Sequence, residues 1–190
     1  GFGRTGEMFA CNHEDVQPDI MCLGKAITGG YLPLAATLTS QKIYDVFLSQ
    51  SHGKNTFFHG HTYTGNQLVC SVALENINLF KKKHLIGHIQ KTSQTLKRRL
   101  EALQPHKNIG DIRGRGLMYG VELVENKSTQ TPLDIPTVEL IIRRCKKNGL
   151  MIRNLENVIT FVPILSMSNK EIKKMVKIFD KALHQTLSKK

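Results

Sequence analysis

The sequence has 190 residues, of which 40% are hydrophobic and 22% are charged, and its formal net charge is +12. This composition is typical of a globular protein and excludes a disordered or collagen-like chain, and no apolar run approaches the ~20 residues that cross a bilayer. The four cysteines contain no CxxC pair, which argues against a zinc site and a disulfide scaffold. Unpaired cysteines favour a reducing compartment, so we expect a cytoplasmic protein.

The first half of the sequence predicts strands and helices. Its apolar residues first form short continuous runs, typical of strands, and later recur every three to four residues, typical of a helix. The predicted elements are a buried strand at residues 19–24, a second strand at 34–39, a helix at 40–48 capped by Ser40, a loop at 50–66, and helix from 67 to about 103, broken near Gly87 or the lysine cluster at 81–83.

The second half predicts further strands and two helices with clear end signals. The predicted elements are a strand at residues 117–124, a polar loop at 125–135, a helix at 136–148 closed by Gly149, short strands at 151–152 and 158–162, and a last helix from the capping box Ser168-x-x-Glu171 to about 187. The layout is α/β with a break near residue 100, so we expect two domains, at 1–100 and 101–190.

The charge is divided unevenly along the chain. Residues 1–79 contain four Lys/Arg and six Asp/Glu, whereas residues 80–190 contain 23 Lys/Arg and nine Asp/Glu. Such a basic half can bind nucleic acid or a membrane surface. Here the basic residues alternate with apolar ones on predicted helices and almost no aromatic residues accompany them, so we expect solvated helix faces and neither of those partners. A non-catalytic basic binding module is the alternative from another functional class.

Lys25 follows the first predicted strand and precedes Gly29 and Gly30. The carboxyl ends of parallel strands are where open α/β sheets bind ligands. Apolar surroundings at that place would destabilise the ammonium form and leave a nucleophilic amine, which a lysine that condenses with an aldehyde needs. A surface lysine is the alternative from position alone, and the two glycines favour a ligand site because they permit close approach.

Two other positions carry candidate binding groups. Thr62 lies in the loop ahead of a predicted helix, where hydroxyls and free amides can seat a phosphate, although an ordinary capping loop is the alternative. Arg153 follows two apolar residues of a short predicted strand, and its planar guanidinium could clamp a carboxylate, although a surface arginine is the alternative.

Two patterns in the sequence formally match sites that we do not expect. The opening segment, residues 1–6, fits G-x-G-x-x-G, but it lacks the strand before it and the helix after it that a dinucleotide site needs, so we interpret it as a structural turn. The histidine pairs at residues 59 and 61 and at 84 and 88 lack a third ligand nearby, so we expect no metal site.

Seven short motifs occur in one order along the whole chain: GFGRTG at 1–6, QPDI at 17–20, LGK at 23–25, GGYLPLA at 29–35, GHTYTGN at 60–66, RGRGLM at 113–118 and GLMIR at 149–153. Together they resemble the class III pyridoxal-phosphate-dependent aminotransferases. The residues at 9–13, 31–37 and 58–62 are most similar to the branch of that family that serves biotin synthesis. Asn154 differs from that branch, which usually has Pro after the arginine.

The resemblance implies an α/β protein of fold type I of the pyridoxal-phosphate-dependent transferases. Residues 1–100 would be the second half of the large cofactor-binding domain and residues 101–190 the small C-terminal α+β domain. In the family, an Asp-Glu-Val motif whose Asp bonds the pyridine nitrogen directly precedes GFG. We therefore expect this chain to be a C-terminal fragment of a homodimeric enzyme with a shared active site, and to be inactive alone.

The resemblance also implies pyridoxal 5'-phosphate as cofactor and a role for each candidate residue. Lys25 would be the catalytic residue that binds the cofactor and then moves a proton as base and acid. Thr62, with the backbone of His61, would hold the cofactor phosphate from across the dimer interface. Gly60 would touch the substrate, and Arg153 would pair with its carboxylate.

The reaction implied by the biotin branch moves an amino group to 8-amino-7-oxononanoate and gives 7,8-diaminononanoate. S-adenosylmethionine is the usual donor and lysine a known substitute, and the sequence does not separate them. Another class III aminotransferase that uses ornithine, 4-aminobutyrate, β-alanine or lysine is the alternative within the enzymes.

Overall fold

The structure, a computed structural model, describes residues 1–48 and 54–187. The chain divides into two compact units, the first made of residues 1–2 and 8–85, and the second of residues 3–7 and those from 86 onward. This division lies at the beginning of a helix, Leu85–Glu101, whose buried residues include Ile89 and Leu96. The domain boundary that we expect near residue 100, at the other end of the same helix, stays a prediction.

Among its described residues, the first unit contains two short strands and two α-helices: β1 (Ile20–Leu23), β2 (Ala36–Thr39), α1 (Gln41–Val46) and α2 (Gln67–Lys82). All four occur where the sequence predicts them. The helix α2 begins after Asn66, whose side chain caps it by accepting a hydrogen bond from the Val69 N–H. Residues 54–66 contain no helix or strand, as expected, and the first part of the predicted loop, 50–53, lies outside the described residues.

The burial and the parallel pairing that we expected of the first strand are wrong. β1 alternates between exposed and half-buried residues, and within residues 1–48 and 54–187 its one partner strand is β2, which runs antiparallel to it. An apolar run predicts burial only where another layer packs on the strand, and a two-stranded sheet leaves its faces open. Lys25 therefore follows a partly exposed strand of an antiparallel pair.

Over its described residues, the second unit contains an antiparallel sheet and three long helices: α3 (Leu85–Glu101), β3 (Ile109–Arg115), β4 (Met118–Asn126), β5 (Thr131–Pro132), α4 (Ile135–Lys147), β6 (Arg153–Leu155), β7 (Val158–Phe161) and α5 (Asn169–Leu187). The strand order is β3-β4-β7-β6, every pairing is antiparallel, and β5 pairs with β4. None of the helices in the described part of the chain has the length and hydrophobicity of a membrane span.

The core of the second unit lies on one face of this sheet. Tyr119, Val121 and Leu123 of β4 are buried while Met118 is exposed, which confirms the predicted alternation. The ring of Phe161 on β7 meets that of Phe179 on α5 edge to face, at a centroid distance of 5.2 Å. The sheet and α5 therefore share one packed apolar layer.

The end signals of the long helices are confirmed. The Ser168 N–H donates to the Glu171 carboxylate at 2.8 Å and the Glu171 N–H donates to the Ser168 hydroxyl at 3.3 Å, which is a complete capping box at the start of α5. Gly149 follows α4 with φ +85°, the left-handed conformation that ends a helix. The break between α2 and α3 falls at His84, with φ +46°, and not at Gly87, which lies inside α3.

The sequence missed or misplaced three strands of the second unit. β3 was not predicted because its sequence, IGDIRGR, mixes two glycines and three charges with two isoleucines and shows no alternation. The two-residue strand β5 lies in the segment predicted as a polar loop. β6 begins at Arg153, two residues later than predicted, because its position is set by pairing with β7.

The opening glycine-rich segment is a structural turn, as we interpreted it. A short 3₁₀ turn, Ala10–Glu14, follows it instead of an α-helix. Arg4 donates its Nη1 to the carbonyl oxygens of Leu117 at 3.1 Å and Pro163 at 2.6 Å. Partial burial lowers the pKa of the Arg4 guanidinium, and these carbonyl contacts hold Arg4 within the second unit, to which residues 3–7 belong.

Candidate active site

Lys25 begins a tight turn directly after β1. Residues Lys25–Thr28 form one 3₁₀ turn, and the Lys25 backbone has φ +49°, in the left-handed region. A non-glycine residue in that region costs about 1–3 kcal/mol, and such strain is concentrated at functional sites. Gly29 and Gly30 follow with φ +64° and +86°, which glycine adopts without the steric penalty.

Side-chain hydrogen bonds hold the backbone that follows the lysine. Asn76 on α2 donates its Nδ2 to the carbonyl oxygens of Ala26 at 2.8 Å and Ile27 at 3.1 Å. Thr28, which is 1% exposed, donates its hydroxyl to the Leu32 carbonyl at 2.6 Å. The turn is therefore fixed on α2, although its first residue, Lys25, is exposed.

The Lys25 side chain is exposed, and it has neither a hydrogen bond nor an ion pair within the described ranges. The apolar surroundings that we expected for this amine are not found, because β1 lies in an open two-stranded sheet. An amine that no carboxylate or carbonyl occupies can approach an aldehyde as a nucleophile once it has lost its proton. The catalytic role of Lys25 stays a prediction.

The loop at residues 60–66 is shaped by its own hydrogen bonds. The His61 N–H donates to the Thr64 hydroxyl at 2.9 Å, and the Thr64 N–H donates back to the His61 carbonyl at 2.9 Å. The Tyr63 N–H donates to the His61 Nδ1 at 3.1 Å. These bonds occupy both backbone groups of His61, so its N–H would reach an anion only by sharing its proton between two acceptors.

Thr62 has two free donors in this loop. Neither its hydroxyl nor its N–H has a hydrogen-bond partner among residues 1–48 and 54–187. Gly60 is exposed, and a Cβ at that position would meet only the Thr64 hydroxyl, at 3.4 Å. A hydroxyl and an amide that both point to no protein acceptor are suited to bind an anion. The roles of Gly60, His61 and Thr62 stay predictions.

Arg153 begins β6 in the second unit, opposite Thr160 of β7. Its side chain is exposed, and no carboxylate pairs with its guanidinium in the part of the chain that the structure describes. Met151 and Leu155, two residues away on either side, are 88% and 59% exposed. A free guanidinium between exposed apolar residues suits a carboxylate on an aliphatic chain. This binding role also stays a prediction.

The five predicted site residues divide between the units, four in the first and one in the second: Lys25, Gly60, His61 and Thr62, and Arg153. Within the first unit, α2 supports both candidate segments, because the loop leads into its first residue, Gln67, and Asn76 holds the lysine turn. Gln67 and Asn76 are about 14 Å apart along the helix axis, at a rise of 1.5 Å per residue. No hydrogen bond joins the turn and the loop in the described residues.

Asn76 is the residue of this region that sequence reasoning missed. It lies three residues after Ala73 and four before Phe80, both of which are buried, so it occupies the apolar face of α2. The sequence could have revealed Asn76 as a polar residue on the predicted apolar face of a helix. It could not have revealed which carbonyls its amide binds. Among the described residues, no group of three His, Cys, Asp or Glu side chains could hold a metal ion.

The profile of the family described as "Aminotransferase class-III" matches residues 1–183. The chain belongs to the class-III aminotransferases. A curated relative from Staphylococcus aureus, an adenosylmethionine-8-amino-7-oxononanoate aminotransferase, is 74% identical over the entire chain, which covers 42% of that relative. A relative of the same name from Methanocaldococcus jannaschii is 45% identical over 90% of the chain and 39% of its own length. This class-III chain thus spans about two fifths of the curated relatives that it matches.

Solved structures of class-III aminotransferases have the same fold. The crystal structure of the Methanocaldococcus jannaschii aminotransferase matches with a TM-score of 0.90 at 42% identity, over 98% of this chain and 44% of that one. The crystal structure of a six-fold mutant of a thermostable omega transaminase from Pseudomonas jessenii matches with a TM-score of 0.90 at 32% identity, over 99% of this chain and 42% of that one. The predicted α/β fold, fold type I, is confirmed.

The donor set of this class-III chain fits pyridoxal 5'-phosphate, the cofactor of the family. An aldehyde requires an amine, and the Lys25 amine has no competing partner in the described residues. A phosphate requires O–H and N–H donors, and Thr62 offers one of each. The strained and braced backbone at Lys25 is what a group that must be held in one place requires.

Proposed function

We propose that this chain is part of a pyridoxal-phosphate-dependent aminotransferase that converts 8-amino-7-oxononanoate to 7,8-diaminononanoate, a step of biotin synthesis. The observation that carries the proposal is the 74% identity, over every residue of the chain, with the Staphylococcus aureus relative. The name of that relative favours S-adenosylmethionine as the amino donor, with lysine as the second candidate. The free cysteines favour a cytoplasmic enzyme, and family membership favours an enzyme over a basic binding module.

Lys25 is the catalytic residue of this proposal. Pyridoxal 5'-phosphate, when bound, supplies an aldehyde that links to amines and a ring that delocalises negative charge. The Lys25 Nζ would hold the cofactor in the resting enzyme. Once the donor amine has displaced it, the freed amine would take a proton from the donor α-carbon and deliver it to the cofactor carbon on the other side of the linking nitrogen, which is a 1,3-proton shift. The exposed Lys25 side chain, free of partners in the described residues, can move between these positions while Asn76 holds the backbone that follows it.

The loop at residues 60–66 supplies the phosphate site in this proposal. Thr62 donates its hydroxyl and N–H to the phosphate, and His61 contributes through an N–H that Thr64 also accepts. We propose that this loop reaches the cofactor of a second subunit, so that the enzyme is a homodimer with shared active sites. The exposure of every residue from Gly60 to Asn66 is consistent with that arrangement.

Arg153 recognises the substrate carboxylate in this proposal, and Gly60 contacts the substrate chain. The guanidinium donates two parallel hydrogen bonds to a carboxylate, which orients an acceptor whose reacting carbonyl lies several methylenes away. The exposed side chains of Met151 and Leu155 provide apolar surface for those methylenes. Asn154 donates to the Glu156 carbonyl at 2.8 Å, and this bond stabilises the hairpin where the branch usually has Pro.

The second candidate is a class-III aminotransferase with a different amino donor. Gamma aminobutyrate transaminase 2 from Solanum lycopersicum is 36% identical over 98% of this chain, which covers 41% of that protein. Both enzymes act on a substrate with a carboxylate, so Arg153 serves either reaction. The identity difference, 74% against 36%, favours the oxononanoate.

The experiment compares donor–acceptor pairs in an enzyme that contains this chain. The chain replaces the matching segment of the Staphylococcus aureus relative. The resulting enzyme is incubated with 8-amino-7-oxononanoate and either S-adenosylmethionine or lysine, and separately with 4-aminobutyrate and a 2-oxo acid that accepts its amino group. We expect 7,8-diaminononanoate by mass spectrometry, and no comparable turnover of 4-aminobutyrate. If the enzyme turns over 4-aminobutyrate and forms no 7,8-diaminononanoate, the second candidate replaces the proposal. If it turns over none of the three amino donors, both candidates are overturned.

A further inference from the structure

We propose that Asn76 is a positioning residue for Lys25, acting through the carbonyls of Ala26 and Ile27. This inference rests on the proposed function, in which Lys25 is the catalytic residue. Asn76 does not touch the reacting atoms. Its carboxamide sets the backbone from which the lysine side chain extends.

The two hydrogen bonds come from one NH₂ group to two consecutive carbonyls. The Asn76 Nδ2 lies 2.8 Å from the Ala26 oxygen and 3.1 Å from the Ile27 oxygen. The Ala26 oxygen also accepts a hydrogen bond from the Gly29 N–H at 3.1 Å. The Ile27 oxygen, in contrast, accepts from Asn76 alone among the described residues. Because a primary amide has two protons in one plane, a pair of bonds of this kind fixes the orientation of both peptide groups.

The braced peptide groups directly follow a strained residue. Lys25 has φ +49°, and an isolated residue in this region relaxes to right-handed or extended conformations unless its neighbours prevent it. A four-residue 3₁₀ turn has few hydrogen bonds of its own with which to do so. The bonds from α2 supply the restraint, and they set the direction in which the Lys25 side chain leaves the turn.

The packing around the amide is specific for its shape. A Cβ on Gly29 would lie 3.1 Å from the Asn76 Oδ1, so the oxygen side of the carboxamide fits against a residue without a side chain. Asn76 is half-buried on the face of α2 that also carries the buried Ala73 and Phe80. A polar side chain on such a face destabilises the fold unless its donors form hydrogen bonds, and both N–H groups of the Asn76 amide form them here.

The test uses the holoenzyme in which this chain replaces the matching segment of the Staphylococcus aureus relative. Asn76→Ala removes the donors, Asn76→Asp keeps the shape but presents acceptors to two carbonyls, and Asn76→Gln keeps the donors. Asn78→Ala is the matched control, since Asn78 lies on the same helix, is exposed, and bonds only to Glu75 at 3.4 Å. The readouts are the rate of borohydride trapping of cofactor on Lys25, the pH midpoint of the visible absorbance, and kcat and KM.

We expect Asn76→Ala and Asn76→Asp to lower the trapping rate and kcat by about tenfold or more, with KM for the acceptor changed less than twofold to threefold, because misplacement of a reacting group acts mainly on kcat. The pH midpoint of the visible absorbance should shift in Asn76→Ala and in Asn76→Asp. Asn76→Gln should recover part of the trapping rate and part of kcat. Asn78→Ala should match the parent enzyme in every readout. If Asn76→Ala does not fold, Asn76→Asp and Asn76→Gln carry the comparison.

The inference is overturned if the Asn76 variants trap cofactor at the parent rate with the parent absorbance midpoint, even when their melting temperature falls, because Asn76 would then be structural only. A parent enzyme that traps cofactor at a lysine other than Lys25, or at none, would instead overturn the proposed function. Peptide mapping after reduction separates these outcomes.

Discussion

Arg4 and Leu117 bind each other reciprocally in the second unit. The Arg4 Nη1 donates to the Leu117 carbonyl at 3.1 Å, and the Leu117 N–H donates to the Arg4 carbonyl at 2.9 Å. Gly116, with φ +63°, allows this approach, because a Cβ there would lie 2.5 Å from the Arg4 oxygen and 2.4 Å from the Thr5 carbonyl carbon. Residues 3–7, which include most of the glycine-rich opening segment, are therefore part of the second unit's structure.

We expect Gly116→Ala to destabilise the protein by about 3 kcal/mol, since it adds a backbone clash to an unfavourable φ. Gly149→Ala is the control, because Gly149 also has a positive φ, +85°, but nothing lies within 4 Å of the added carbon. That variant should lose only about 1 kcal/mol. Urea unfolding of both variants measures the difference, and equal losses would contradict the role of the close contact.

We expect the second unit to lose stability as the pH falls from about 7 to 5, because of His106. Burial lowers the pKa of His106, and the nearby His184, Lys107 and Lys127 lower it further, while Asp180 opposes them. The folded pKa thus lies below the unfolded value near 6.5, so the stabilisation is complete above that value and is lost as the pH falls through the folded pKa. Protonation also removes the acceptor that the Asn108 N–H uses, the His106 Nδ1, at 3.1 Å.

The measurement is the urea midpoint at pH values between 5 and 8. His106→Gln removes the titrating group and should flatten this part of the profile, whereas His59→Gln, in the exposed loop of the first unit, should leave it unchanged. An unaltered pH profile in His106→Gln would show that another group is responsible.

We expect Cys145 to resist thiol reagents in the folded protein. Burial raises the pKa of its thiol to about 11, and its side chain is fully buried in α4, whereas Cys22 is exposed. Because the thiolate is the reactive form, Cys145 should react only at the rate of unfolding, and Cys22→Ser should remove a fast phase. Time-resolved labelling followed by peptide mapping measures both rates, and rapid labelling of Cys145 in native buffer would contradict its burial.

We expect Arg153→Ala, in the enzyme that contains this chain, to raise KM for 8-amino-7-oxononanoate by about 10–100-fold, as the loss of a charged hydrogen-bond pair worth about 1.5–3 kcal/mol predicts. Arg153→Lys should recover only part of this, because an ammonium cannot make two parallel bonds. Arg143→Ala, an exposed arginine on α4, is the control. Steady-state kinetics with an unchanged KM in Arg153→Ala would exclude the carboxylate role.

We expect hydrogen exchange to be much slower in the second unit than in the first. The second unit contains fully buried residues on its strands and helices, such as Val121, Ile159 and Phe179, whereas β1 and β2 contain none. Amide protection follows the local free energy of opening, which falls where few apolar contacts form. Mass spectrometry of the 190-residue chain should find β4 and α5 protected and β1 exchanging within the shortest times. Equal protection in both units would contradict this.

Much of the chain's local structure could be predicted because its signals lie within a few residues of one another. The capping box at Ser168, the stop at Gly149 and the alternation of β4 are each complete in a short stretch of sequence. The family could be recognised for a related reason, since its motifs are short and keep their order along the chain. Lys25, Thr62 and Arg153 follow from those motifs.

Features that depend on partners distant in sequence could not be predicted in this way. Strand β3 exists because β4 pairs with it, and the exposure of β1 follows from how many strands and layers adjoin it. Asn76 and Ala26 are fifty residues apart, and no local pattern links them. Side-chain spacing encodes which face of an element is apolar, but the chain must fold before a hydrogen-bond donor and its acceptor meet.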